Sequence, residues 1–228
     1  MSTVYIISAP SGSGKSTLVN ELRKLISNLD FSISYTTRRP RGSEQNGREY
    51  FFVPIQDFEE MIARGEFLEY ANVFGNYYGT ARRFLEQAQH SGHDLLLDID
   101  VQGAAQIKSK IKDAVSIFIL PPDKKTLEWR LRNRSLDAED VIQRRLLTAA
   151  KEIENYRSYD YILINDRLED SIDELKAIVL SERLRRSGGK LSNGDKHILA
   201  TAERCLLPNI RERLQPILAS FALSATPG

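Results

Sequence analysis

What decides the fold of this chain is the stretch Ala9-Pro10-Ser11-Gly12-Ser13-Gly14-Lys15-Ser16-Thr17. It follows a β-branched and aromatic run at residues 4–8 and precedes apolar residues at helical spacing (Leu18, Leu22, Leu25 and Ile26). A glycine-rich loop between a strand and a helix is the context in which the letters G-K-S form a phosphate cradle. A plain turn is the alternative, and the strand before the loop and the Lys-Ser after it disfavour that alternative. We predict a nucleotide-binding loop.

The residues of this loop have separate expected tasks. Gly12 and Gly14 let the backbone present several N–H groups to one anion, and the N-terminus of the next helix adds partial positive charge. Lys15 can reach the β- and γ-phosphates, and the hydroxyl of Ser16 is placed to ligate Mg²⁺. The first glycine of the usual motif is replaced by Ala9. We assign ATP binding to Ser11, Gly12, Ser13, Gly14, Lys15, Ser16 and Thr17.

Length and composition indicate a soluble protein with one substantial core. The chain has 228 residues, 41% of them hydrophobic and 28% charged. The net charge of +1 gives no field that would attract nucleic acid or a membrane surface. Cys205 is the single cysteine, which excludes an intramolecular disulfide and fits a reducing compartment. With no signal-peptide pattern at the N-terminus, we expect a cytoplasmic protein without a nucleic-acid or membrane partner.

Further apolar runs predict the strands of a parallel sheet: Asp94–Ile99, Val115–Leu120 and Tyr161–Ile164. Helical patterns lie between them, so we predict an α/β fold of the P-loop type with three layers, α/β/α. The second strand ends in two carboxylates at the edge where open α/β sheets bind ligands. We assign Asp98 with Ser16 to a magnesium site. For Asp100, the cap of the helix that starts near Val101 is the alternative.

A small antiparallel β-subdomain is predicted as an insert at residues 32–84, between the first and second core strands. Its strand-like pieces are Ser32–Arg38, Glu49–Val53, Phe67–Phe74 and Tyr77–Thr80. Gly75-Asn76 is typical of a two-residue hairpin loop, which sets Phe74 opposite Tyr77 and Val73 opposite Tyr78. Alternation then places one group on a common face, with Tyr70 and Phe74 on the other. That group is Glu69, Ala71, Val73, Tyr78 and Thr80.

Two readings of these strands stay open. The hairpin face is either a solvated surface or a ligand surface, and its tyrosines suit a ligand. Upstream, Ser34, Thr36 and Arg38 share one strand face, and Arg38-Arg39-Pro40-Arg41 concentrates three guanidinium groups. Such a cluster is either a surface charge run or a second phosphate site, since arginine binds phosphate bidentately.

A helical excursion at residues 123–150 is the predicted lid. Asp123 is the expected cap of its first helix, which carries Arg130 and Arg134 at i, i+4. Asp137 is the expected cap of the second helix, whose buried stripe is Ile142, Leu146, Ala149 and Ile153. Arg145 lies away from that stripe. Solvated arginines are the alternative, but a helical hairpin bearing arginines is typical of a closing lid.

The chain after the last core strand divides at a Ser187-Gly188-Gly189 linker. An amphipathic helix runs before it, to about Arg186. Beyond it, residues 187–228 contain a helix from near Asp195 to before Pro208 and a second apolar stripe. Pro216 disfavours one unbroken helix. The stripe, Ile198, Leu199, Ala202, Leu206, Ile210, Leu214, Leu218 and Phe221, needs either its own core or a second subunit to cover it; we favour the second subunit, and hence a homodimer.

Six motifs, in order, make residues 4–186 resemble the guanylate kinase family: SAPSGSGKST (8–17), SYTTRRPR (34–41), NGREYFF (46–52), FGNYYGT (74–80), LDIDVQG (97–103) and IND (164–166). The resemblance implies a 1–186 kinase domain that converts ATP and GMP, with dGMP as a further candidate, to ADP and the diphosphate with Mg²⁺. It implies that Arg130, Arg134 and Arg145 close over the transferred phosphate and that Asn165 lies near the donor adenine. Ser135 departs from a frequent lid glycine. The implied GMP ligands are Ser34, Arg38, Arg41, Tyr50, Glu69, Tyr78, Thr80 and Asp100.

The chemistry of guanine agrees with this implication. Guanine presents N1–H and an amino group on one edge, and an ionised Glu69 can accept from both, whereas adenine presents an acceptor at N1. Two rivals are a phosphopeptide-binding module of guanylate-kinase-like type and a P-loop kinase of a sugar phosphate. The retained phosphate loop disfavours the first rival. The presence of Ser34, Glu69 and Asp100 disfavours the second.

Overall fold

The computed structural model describes residues 2–73, 75–134 and 138–223. The chain forms two compact units. The first contains the residues up to Ile7 together with Ser27–Val115, and the second contains Ser8–Ile26 together with the chain from Ser116 onward. Among the described helices, none is both long and apolar enough to cross a membrane.

Three parallel strands form the core of the first unit. They lie in the order β2 (Leu29–Ser32), β7 (Asp94–Asp98) and β1 (Val4–Ser8), and helices α3 (Arg82–Ser91) and α4 (Val101–Lys110) flank β7 in sequence. Parallel strands alternating with helices confirm the expected α/β class. The predicted piece Ser32–Arg38 is wrong as one strand, because Ser32 ends β2 of the parallel sheet.

A second sheet of the first unit is small and mixed. Its order is β4 (Phe51–Phe52), β3 (Tyr35–Thr36), β6 (Asn76–Ala81) and β5 (Phe67–Val73), and α2 (Ile55–Ala63) precedes β5. Phe58 and Met61 of α2 pack on Phe67 to form its apolar core. The antiparallel prediction is wrong for one pair, since β3 and β4 are parallel. The connection 37–50 is long enough to return the chain to the same end of the sheet.

The hairpin of β5 and β6 keeps the predicted faces although its strand pairing differs from the predicted one. Val73 pairs with Asn76, and Glu69 pairs directly with Thr80. The pairing therefore differs by two positions from the predicted one, which set Val73 opposite Tyr78. An even shift leaves every side chain on its face, so Glu69, Tyr78 and Thr80 do share one surface. Phe74, whose position was also predicted, lies outside the described residues.

The second unit contains the parallel pair β8 (Val115–Leu120) and β9 (Tyr161–Ile164). Its helices are α1 (Lys15–Leu25), α5 (Lys124–Arg134), α6 (Glu139–Ile153) and α7 (Leu168–Ser187), with a 3₁₀ turn at Glu154–Ser158. The predicted cap is confirmed, because the Thr126 N–H donates to Asp123 Oδ1 at 2.6 Å. The predicted stripe of α6 is also confirmed as buried. Ser135 and Asp137 lie outside the described residues.

The C-terminal segment packs on the second unit of its own chain. Helix α8 (Asn193–Glu203) begins with a capping box at Ser192 and packs on α7. The segment after α8 pairs with β9, since the Ile162 N–H donates to the Cys205 carbonyl at 2.8 Å. The favoured second subunit is therefore wrong as the cover of this stripe. Five of its eight members are buried within the chain, namely Ala202, Ile210, Leu214, Leu218 and Phe221. The other three, Ile198, Leu199 and Leu206, are half-buried.

Helix α9 (Arg211–Ser220) contains Pro216 without a break. The interruption between the two C-terminal helices lies at 204–210 instead, ahead of the proline. A proline inside a helix costs about 3 kcal/mol. Burial of Leu214, Ile217 and Leu218 on either side of it stabilises the helix and offsets this cost.

Candidate active site

The predicted phosphate loop has the backbone that such a loop needs. Gly12 and Gly14 both adopt left-handed conformations, with φ of 90° and 88°. L-amino acids with a side chain rarely adopt these values, so the glycines are required at this turn. The Ser13 N–H donates to the Pro10 carbonyl at 3.1 Å, and α1 begins at Lys15 directly after the turn. The N-terminal N–H groups of α1 therefore follow the loop without a gap in the chain.

Helix α5 packs against this loop. A Cβ on Gly12 would lie 2.9 Å from Leu131 Cδ2 and 3.0 Å from Leu127 Cδ1, and both leucines are buried. The helix that carries Arg130 is therefore fixed to the phosphate loop by close apolar packing. The sequence pattern did not identify this role, because Leu127 and Leu131 have the spacing of any buried helix face.

Asn165 is the second element that holds the loop. Its buried side chain donates from Nδ2 to the Ser13 carbonyl at 2.7 Å. A Cβ on Gly14 would collide with the same Nδ2 atom. The backbone carbonyl of Asn165 accepts from Arg130 Nη2 at 2.9 Å. Asn165 thus links the phosphate loop to the first arginine of the predicted lid.

Two buried polar atoms beside the loop lack a hydrogen-bond partner in the described part of the chain. They are Arg130 Nη1 and Ser13 Oγ. Burial lowers the pKa of Arg130, and the carboxylates of Asp166 and Asp123 oppose that effect. Buried donors normally have partners. A phosphate oxygen bound at the loop would supply one, so these residues fit a nucleoside triphosphate.

The other two predicted lid arginines are placed less fully. Arg134 is the last residue of α5, and its side chain lies outside the description. Arg145 is half-buried on α6 beside the buried Leu146. Its neighbour Arg144 is exposed and pairs with Asp140 at 2.6 Å. Arg144 is therefore a surface residue, whereas Arg145 is half-buried.

Three predicted ligands for the acceptor phosphate come together in the first unit. Arg38 Nε donates to the Tyr78 hydroxyl at 3.1 Å, and the Arg38 guanidinium lies 5.3 Å from the centre of the Tyr50 ring. The Tyr50 and Tyr78 rings are 5.8 Å apart, edge to face. Ser34, four residues before Arg38 in the sequence, is buried, and Arg41 is exposed. Arg38, Tyr50 and Tyr78 therefore form one cluster.

Glu44 occupies this cluster, and the sequence analysis did not identify it. Arg38 Nη1 and Nη2 donate to its two carboxylate oxygens, each at 3.0 Å, and the Arg41 N–H donates to it at 2.8 Å. Partial burial alone would raise the pKa of Glu44, but the hydrogen bonds from Arg38 and Arg41 lower it. A two-oxygen anion is thus held where the sequence predicted a phosphate.

The predicted base-reading residues also come together. Glu69 is 4% exposed, and Thr80 Oγ1 donates to its Oε1 at 2.6 Å. Burial raises the pKa of Glu69 to about 7; the hydrogen bond from Thr80 opposes this, and the charge of Asp100 adds to it. Asp100 accepts from the Gly103 N–H at 2.8 Å, which confirms the alternative that it caps α4.

The predicted magnesium ligands are a hydroxyl and a carboxylate. Ser16 lies in the first turn of α1, and Asp98 ends β7, where it is half-buried. Oxygen ligands of this kind suit Mg²⁺. In the part of the chain that the structure describes, no cluster of three or more His, Cys, Asp or Glu residues could hold a metal by itself.

Comparisons with known proteins give a consistent result. A family model described as guanylate kinase matches residues 1–182. A guanylate kinase of Koribacter versatilis is 58% identical over 228 residues, covering 99% of this chain and 98% of the relative. A guanylate kinase of Escherichia coli K12 is 50% identical over 190 residues, covering 82% of this chain and 92% of the relative. A crystal structure of guanylate kinase from Anaplasma phagocytophilum matches with a TM-score of 0.67 at 35% identity, covering 79% of this chain and 86% of that one.

Proposed function

The chain belongs to the guanylate kinase family, and on this premise we propose that it transfers the γ-phosphoryl group of ATP to GMP, giving ADP and GDP. The observation that carries the proposal is the buried, hydrogen-bonded pair of Glu69 and Thr80, with the half-buried carboxylate of Asp100 close to it. Glu69 lies on strand β5 of the small sheet, and the structure does not require a carboxylate there, because burial penalises its charge. Recognition of a base that presents hydrogen-bond donors explains why a carboxylate is buried at this position.

Glu69 reads the guanine edge in this proposal. Thr80 uses one lone pair of Oε1, which leaves the other oxygen and further lone pairs for the N1–H and amino donors of guanine. Adenine would turn the lone pair of its N1 toward the same carboxylate. A site that hydrogen-bonds one substrate rejects an analogue lacking the donors by roughly 10⁴–10⁵. Ser34 and Asp100 complete the acceptor contacts that the family resemblance implies.

Arg38, Arg41, Tyr50 and Tyr78 hold the phosphate of GMP in this proposal. The bidentate contact of Arg38 with Glu44 supports it, because a phosphate presents oxygens to a guanidinium in the same geometry. Glu44 then acts as a stand-in that GMP displaces. The GMP phosphate is the nucleophile, so its fixed orientation contributes directly to the rate.

The donor ATP is bound by the phosphate loop. Lys15 and the loop N–H groups hold the β- and γ-phosphates. Arg130 Nη1 and Ser13 Oγ, which lack partners among the described residues, donate to the same anion in this proposal. Arg134 and Arg145 close with Arg130 over the transferred group and exclude water. Asn165 lies near the adenine. Ser16 and Asp98 would hold Mg²⁺ together with the phosphates, and the ion would supply charge neutralisation during the transfer.

Catalysis in this scheme consists of positioning and charge neutralisation. Phosphoryl transfer in line between two bound nucleotides needs no covalent intermediate and no strong base. The retained phosphate loop speaks against a phosphopeptide-binding module, and the retained Glu69 speaks against a kinase of a sugar phosphate. We propose a cytoplasmic location and a role in purine nucleotide recycling, because ATP and GMP are found there.

Glu69→Gln tests the proposal. The variant keeps the size of the side chain but loses the charge and half of the acceptor capacity. A hydrogen bond to a charged group contributes about 1.5–3 kcal/mol, so kcat/KM for GMP should fall roughly 10- to 200-fold. KM for ATP should stay within about twofold, and Glu59→Gln on the exposed face of α2 should match wild type. Equal losses for both nucleotides would assign Glu69 to structure alone.

A further inference from the structure

Gly103 lies in the first turn of α4, directly against the carboxylate of Glu69. It is buried, and a Cβ placed on it would lie 2.5 Å from Glu69 Oε2 and 2.9 Å from Glu69 Cδ. Real Cβ atoms do not approach other heavy atoms so closely. Its φ is not in the left-handed region, so the backbone conformation itself admits any residue. The constraint on position 103 is therefore the space taken by the carboxylate.

We propose that Gly103 determines acceptor specificity, because the missing side chain at this position is what allows Glu69 to occupy its base-reading position. The inference rests on the proposed function, since it assumes that Glu69 reads guanine. Gly103 is a positioning residue in this account and touches no nucleotide. Its N–H fixes Asp100 at the same time, at 2.8 Å from Oδ1.

The backbone of Glu69 cannot withdraw from a larger residue at position 103, and its carboxylate cannot move without straining the contact with Thr80. On its far side Thr80, which is fully buried, holds Oε1 at 2.6 Å. The strand on which Glu69 lies is bound to α4 on both sides of it: Lys110 Nζ donates to the Leu68 carbonyl, and Gln106 Nε2 donates to the Tyr70 carbonyl at 2.7 Å. With the backbone fixed to the same helix, the displacement must fall on the Glu69 side chain.

Helix energetics make the glycine unexpected on structural grounds alone. Glycine is among the least favourable residues in a helix, and alanine is the most favourable. Gly103→Ala should therefore not destabilise helix α4. Its unfavourable effect should be the displacement of the Glu69 carboxylate. A substitution that preserves the helix but impairs GMP use is the signature of a specificity position.

Gly194→Ala provides a matched control. Gly194 also lies in the first turn of a helix, α8, and a Cβ there would meet only Ser192 Oγ, at an ordinary 3.7 Å. For Gly103→Ala we expect kcat/KM for GMP to fall at least about 10-fold, with KM for ATP within about twofold of wild type. For Gly194→Ala both quantities should equal those of wild type. The urea unfolding midpoints of both variants, measured on the same samples, should equal or exceed that of wild type.

Glu69→Asp provides the rescue test. The shorter side chain withdraws its carboxylate from position 103, so the double variant with Gly103→Ala should lose less GMP activity than the product of the two single losses. Multiplicative losses would overturn the inference, as would wild-type GMP kinetics in Gly103→Ala. So would a parallel fall of the unfolding midpoint and of ATP affinity. If the wild-type chain uses AMP as well as it uses GMP, the proposed function fails. If the wild-type chain prefers GMP but Gly103→Ala shows the same kinetics as the Gly194→Ala control, this inference alone fails.

Discussion

The buried carboxyl group of Glu69 should make the stability of the chain depend on pH. Burial is the main cause that raises its pKa to about 7 from an ordinary 4.5. The hydrogen bond from Thr80 and the charge of Lys110 oppose burial, and the charge of Asp100 reinforces it. Replacement by Gln removes the titration while it retains the size of the side chain and a polar partner for Thr80.

The direction of the effect follows from which state holds the proton. Between pH 4.5 and 7 the folded chain keeps a proton on Glu69 that the unfolded chain has lost. The contribution of Glu69 to the free energy of unfolding is therefore complete below the pKa of Glu69 in the unfolded chain. It is lost as the pH rises through the pKa of Glu69 in the folded chain. At about 1.4 kcal/mol per pKa unit, the loss totals about 3.5 kcal/mol, of which about 2.5 kcal/mol falls between pH 5 and 8.

Urea unfolding of wild type, Glu69→Gln and Glu59→Gln at pH 5, 6, 7 and 8, without nucleotide, measures this effect. The free energy of unfolding of Glu69→Gln minus that of wild type should grow by about 2.5 kcal/mol across the series. The Glu59→Gln control, altered at an exposed position, should show a constant difference. A constant difference for Glu69→Gln as well would refute the claim that burial raises the pKa of Glu69 in the nucleotide-free chain.

Two further predictions concern the phosphate loop and the C-terminal segment. Lys15→Met should keep the wild-type unfolding midpoint and lose about 10²–10³ in kcat, because one contact to the transition-state charge is gone; near-normal turnover in a coupled ADP assay would contradict its role. Removal of the chain after Ser187 should lower the urea midpoint, because the N–H of Ile162 loses its partner and the faces covered by Leu214 and Leu218 become exposed; an unchanged midpoint would show that the segment does not stabilise the second unit.

The fold class and the phosphate loop were predictable because several independent signals coincide there. The loop glycines, the apolar strand before them and the helical spacing after them all require the same structure. The ligand face of the hairpin was predictable for another reason. Alternation has a period of two, so the two-position error in the predicted pairing left Glu69 and Thr80 on one face.

Other features were not predictable because they depend on long-range contacts. Strand β2 is four residues long and contains Asp30, so its pattern does not distinguish it from a loop. The parallel direction of β4 leaves no mark in Phe51-Phe52. The apolar stripe near Leu214 shows that a face is covered but not what covers it. Glu44 and Gly103 acquire their importance only from the positions of Arg38 and Glu69.

The most direct test of the account is the rate of ATP-dependent phosphorylation of GMP, AMP, CMP and UMP by the wild-type chain in one coupled assay. The account predicts that kcat/KM for GMP exceeds that for AMP by roughly 10⁴ or more, because only guanine offers two donors to Glu69. Comparable values for GMP and AMP would contradict it.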